Sequence, residues 1–135
     1  MTMSLPKSKS KPTSNEREFQ TAIVRLIFFE RDPERAIEEL SRHYGVERPA
    51  LRMGLPKGEK RALGCYVHRD KTIYIADRNS LYDPYVIIHE FYHHLRNVSG
   101  KHRGTERHAR EFAFAFLSAN DVPPAGRMVG GGDRG

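Results

Sequence analysis

The chain has 135 residues, Lys plus Arg 23 against Asp plus Glu 17, a formal charge of +6 and 38% hydrophobic residues. That length allows one domain with a modest core and excludes two of ordinary size. Its single cysteine, Cys65, excludes an internal disulfide framework and any cysteine-rich metal site, so a bound transition metal would need His and carboxylate ligands and a reducing, cytoplasmic setting is expected.

The first stretch, MTMSLPKSKSKPT, carries Lys7, Lys9 and Lys11 with no acid beside them. Ser, Pro and Lys leave it nothing to bury, so residues 1–13 read as a disordered basic tail. It has no apolar signal-peptide region, and no run in the chain approaches membrane-spanning length, so no membrane partner is expected. The basic balance permits nucleic acid, but a solvated surface is the commoner meaning.

A folded unit is expected over 14–120. SNEREFQTAIVRLIFFE places Phe19, Ile23 and Ile27 at helical spacing behind Ser14 as a cap. RDPERAIEELSRHYG restarts with Asp32 as cap, Pro33 at the first helical position and Gly45 as the stop. PALRMGLP is a short strand candidate, and ALGCYVHRDKTIYIADR reads as two strands around a turn at Arg69 to Lys71. YDPYVIIHEFYHHLRNV repeats the cap-then-proline device at Asp83-Pro84 and runs helical to about Asn97. Thr105 can cap a last helix, ERHAREFAFAFLSAN, which Val122-Pro123-Pro124 ends, and residues 121–135 form a flexible tail rich in Pro and Gly. Two helices, a small sheet and two more helices make an α+β domain.

Chemistry concentrates in VIIHEFYHHLR, Val86 to Arg96. His89 and His93 are four apart, so on a helix they face one way and can share an ion. Glu90 stands about 100° round, beside that face and not on it, where a general base belongs. Ile87, Ile88, Phe91 and Leu95 fill the far side, so the helix is expected to be buried nearly all round. Unpaired buried polar groups cost about 1–3 kcal/mol each, which argues against an accidental pair of histidines. His94 falls near Glu90 and could bridge to it, though a satisfied structural histidine is the commoner case; Tyr85 and Tyr92 are more often packing than catalysis.

Zinc on two histidines needs a third protein ligand. His102, Glu106, His108 and Glu111 are the downstream candidates. Glu106 lies about 60° from Ala109 on the apolar side of the last helix, whereas Glu111 is nearly opposite at about 200°. Ala109 and Ala113 let the two helices approach closely. Glu106 is therefore the expected ligand, with His102 its main rival and His108 on the helix flank.

HEFYH followed by ERHAREFA (Glu-x-x-Ala-x-x-Phe-Ala) resembles the gluzincins, zinc metallopeptidases whose third ligand is a glutamate from the next helix. The likeness spans about Thr72 to Leu117. It is similar in its second motif to small cytoplasmic metallopeptidases that cleave repressors, and in size to archaeal minigluzincins, which are self-inhibited zymogens. The resemblance implies a minimal zincin-like domain that cleaves peptide or protein substrates. One zinc ion would sit on His89, His93 and Glu106, with Glu90 as general base for a metal-activated water. It also implies that the KTIYIAD strand is the sheet edge receiving an extended substrate. Arg110 stands where these families often carry Asp or Asn to steady a ligand histidine, so Asp77, Asp83 or a backbone carbonyl must do so. His102 or His108 are the residues available to stabilise an oxyanion. Two further readings are a zinc-organised regulatory module whose basic tail meets nucleic acid or a repressor, and a SprT-like DNA-associated protease with a histidine as last ligand.

Overall fold

The computed structural model describes residues 13–59, 61–99 and 106–119. Helix α1 (Ser14–Val24) is capped by Thr13, one residue before the expected cap Ser14. Thr13 accepts from the Glu16 N–H and donates its own N–H to the Glu16 carboxylate, both at 3.0 Å. This reciprocal box satisfies two of the donors that a helix start leaves free. The helix then widens into a π turn (Arg25–Phe29), in which Glu30 N–H donates to Arg25 O at 2.9 Å. The wider turn keeps Ile27 in the core and turns Phe28 and Phe29 outward. Helix α2 (Pro33–Tyr44) starts and stops as its sequence dictates: Asp32 accepts from the Arg35 N–H at 3.1 Å, and Gly45 takes the left-handed conformation at φ 68°.

Three short strands follow, β1 (Ala50–Met53), β2 (Gly64–Val67) and β3 (Thr72–Ile75), in the order β1-β3-β2. β2 and β3 are the antiparallel pair expected around Arg69 to Lys71, with Cys65 opposite Tyr74, and β1 pairs parallel to β3. One expectation fails here. The TIYI strand is central and not an edge, because Ile73 and Ile75 are fully buried and both its sides are paired. The edges are β1 and β2. Next comes a single helical turn that periodicity did not signal, α3 (Arg78–Leu81), capped by Asp77.

Helix α4 (Pro84–Ser99) forms the middle of the domain. Ile87, Ile88, Phe91 and Leu95 are at most 1% exposed, and they join Ile23, Ile37, Leu40 and Phe116 in the core. Helix α5 (Glu106–Ser118) packs along α4, with Ala109 and Ala113 completely buried, as small residues at a close helix contact should be. Among the described residues the architecture is α+β, with five α-helices, one π turn and a three-stranded mixed sheet. No described helix is long and apolar enough to cross a membrane. The expected Thr105 cap, the Val122-Pro123-Pro124 stop, residues 1–12 of the first tail and all of the tail at 121–135 fall outside the described residues.

Candidate metal centre

Two helices supply the cluster that the sequence singled out. On α4, one helical turn separates His89 from His93, so their rings lie side by side with centroids 5.2 Å apart. Opposite them stands Glu106, the first residue of α5. Its Oε1 lies 2.9 Å from His89 Nε2 and its Oε2 lies 3.1 Å from His93 Nε2. One ligand atom from each of the three residues falls within 4.8 Å of the others, so the triad could hold a metal ion.

The two histidines are largely buried, whereas the Glu106 side chain is 66% exposed at the start of α5, so the expectation that it lies on the buried side of that helix fails. His93 titrates below its ordinary value because burial disfavours the imidazolium, an effect the Glu106 charge only partly offsets. For Glu106, burial acts upward but is outweighed by the hydrogen bond from His89 and the charge of His93, so the carboxyl titrates low. A carboxylate and two neutral imidazoles are the ionisation states a cation needs. Two nitrogens and one oxygen also form a donor set that suits zinc, with room left for a fourth ligand. By these measures the residues fit the ion.

Glu90 has a different environment. It is 9% exposed and its carboxyl is pushed up to about 7. Burial is the main cause and the Glu106 charge adds to it; the Tyr66 backbone N–H opposes the shift, and Glu59 adds a little more. β2 closes over this side chain because residue 64 is glycine. A Cβ there would stand 2.9 Å from Val86 Cγ1 and 3.1 Å from Glu90 Cγ. Glu90, the triad and β2 line one cavity of about 550 Å³. Tyr85 forms another wall, its ring 5.3 Å from that of His89 and 5.4 Å from that of Phe114.

His94 does not bridge to Glu90. It is fully buried between the Tyr66 hydroxyl, 2.8 Å from Nδ1, and the Glu47 carbonyl, 2.7 Å from Nε2. Because a carbonyl only accepts, Nε2 carries the proton and Nδ1 accepts from Tyr66. This structural histidine ties the edge strand to α4 and to the loop after α2.

The partner expected behind the ligand histidines is not supplied by the aspartates named for it. Asp77 Oδ1 accepts from the Ser80 N–H and Asp83 Oδ1 from the Tyr85 N–H, each at 2.9 Å. His89 Nδ1 is buried with no hydrogen-bond partner among the described residues. His108 is exposed on α5, and Glu111 pairs with Arg107 along the same helix, away from the triad. His102 lies outside the described residues. Sequence reasoning missed the contributions of Gly64, Tyr66 and Glu59. Only Gly64 carried a signal, since an isolated glycine in a strand often marks a close backbone approach. No protein-family model, curated protein or solved structure matches this chain.

Proposed function

We propose that the chain is a zinc-dependent metallopeptidase of the gluzincin type, built on a minimal zincin-like domain. The observation that carries this reading is the convergence of the His89 and His93 Nε2 atoms on one carboxylate from another helix, with buried Glu90 facing the same cavity. Zinc bound there would act as a Lewis acid toward a carbonyl and bring the pKa of a water molecule to about 7. Every other part of the chemistry belongs to side chains and backbone.

Glu90 is the general base. Burial raises the affinity of this carboxyl for a proton and a bound cation would lower it again, so Glu90 can take a proton from the attacking water and return it to the leaving amine. The substrate lies along β2, not along the TIYI strand. Among the described residues β2 pairs only with β3, so its other edge offers backbone donors and acceptors to an extended peptide beside Glu90. Tyr85 and Phe114 provide an aromatic wall that holds the His89 ring in place. The latency implied by the resemblance would require a terminal segment to enter this cavity.

The test is hydrolysis of a mixed peptide pool by zinc-loaded full-length protein, followed by mass spectrometry, with Glu90→Gln in parallel. Forms trimmed before Thr13 or after Ala125 extend it to latency and should cut faster if a tail occludes the site. The reading is abandoned if no form cuts any peptide that Glu90→Gln leaves intact.

A further inference from the structure

We propose that Glu59 makes this site select a basic residue, Lys or Arg, in the extended peptide lying along β2; the inference rests on the peptidase reading above. Glu59 lies in the loop between β1 and β2 and lines the cavity together with Ala62, Leu63 and Gly64. No Lys or Arg among the described residues lines that cavity, although the chain as a whole is strongly basic. The ion pairs of the described residues lie on α2 with Arg48, in the β2–β3 turn, in the triad and on α5, so none of them neutralises Glu59.

Charge accounting then singles this residue out. Among the described residues that line the cavity, Glu59 is the one carboxylate that belongs neither to the triad nor to the general base. Its field reaches into the site, since it adds to the upward shift of Cys65, which lines the same cavity. Leu63, which lines the same cavity, is 46% exposed, a large apolar group left open to solvent. The methylene stem of Lys or Arg can cover Leu63 while its charged head reaches Glu59. A short acidic side chain at that place would meet a like charge and leave Leu63 uncovered.

Two readouts on the full-length, zinc-loaded protein test this. The first is binding of labelled alanine-based peptides, carrying one Lys, norleucine or Glu at each position in turn, to the hydrolysis-deficient Glu90→Gln form. The second is kcat/KM for the same peptides with the wild type. An exposed ion pair is worth up to about 1 kcal/mol, so Lys should be preferred to norleucine by about two- to fivefold at one position. Glu59→Gln should abolish the preference, Glu59→Lys should turn it toward Glu, and about 0.5 M salt should weaken it. A preference that survives Glu59→Gln, or no preference, overturns the inference while leaving hydrolysis intact. Failure of all peptides to bind overturns it as well. A Glu59-dependent binding preference without hydrolysis by the wild type keeps the selection and removes the peptidase.

Discussion

Replacing Glu90 with glutamine in the metal-free protein should make it more stable, by an amount that grows with pH. The wild-type carboxyl titrates at about 7 in the folded state against an ordinary value of 4.5. The folded state therefore binds the proton more tightly than the unfolded chain does between these values. Burying the carboxyl is harmless below pH 4.5, costs stability progressively as pH rises to 7, and costs a constant amount above it. The limiting cost is roughly 3 kcal/mol, at about 1.36 kcal/mol per pH unit. Glutamine keeps the shape without the charge, so the variant's advantage should widen from about 1 kcal/mol at pH 5 to about 3 kcal/mol at pH 8. Any packing difference between the two side chains is independent of pH and drops out of that slope.

Urea unfolding at pH 5, 6, 7 and 8 after chelation measures the slope directly. His93 and Glu106, which also titrate away from their usual values, are present in both proteins and largely cancel. Repeating the series with zinc should flatten the slope, because a nearby cation favours the ionised carboxylate. A gap constant to within about 0.5 kcal/mol across this pH range in metal-free protein would refute the argument, since it would mean that burial does not penalise the Glu90 charge.

Glu106→Ala should lose stoichiometric zinc in elemental analysis while His102→Ala retains it; loss only in the histidine variant would overturn the ligand assignment and favour the SprT-like reading. Gly64→Ala forces a methyl group to within 2.9 Å of Val86 Cγ1 and 3.1 Å of Glu90 Cγ. It should destabilise by about 1–3 kcal/mol in denaturant unfolding, and a neutral result would show that β2 does not pack on α4 this closely. Tyr66→Phe removes the donor to the buried His94 Nδ1 and should cost about 1–3 kcal/mol, with zinc content unchanged. Equal stability of the two proteins would mean that His94 finds another donor.

The sequence carried the parts of this protein that depend on local chemistry. Asp32, Pro33 and Gly45 bound a helix whatever packs on it, and His89 and His93 share a face on any helix. Glu106 was singled out by the helical count, which put it on the apolar side of the last helix; its side chain is in fact 66% exposed, and what the count got right is that it meets the two histidines. What stayed hidden depends on pairing across distance. Ile73 and Ile75 alternate with polar neighbours as a one-sided edge strand would, yet β1 arrives from earlier in the chain and makes their strand central. The site of Glu59 follows from where a loop lands, which periodicity does not record. Tyr66 and His94 are 28 residues apart, and only the folded sheet brings a phenol to that imidazole.

Glu106 opens α5, whose far end reaches α1 through Phe116 and Phe19, with ring centroids 6.1 Å apart. An ion clasped by α4 and by the first turn of α5 would bolt two stacked rods at one end. Its occupancy would be felt well beyond the cavity, in how firmly the N-terminal helix is clamped. At a free concentration about a hundredfold above its dissociation constant, such an ion adds about 2.7 kcal/mol to the folded state. Depleting it would then loosen a whole flank of the protein as well as silence a cleft.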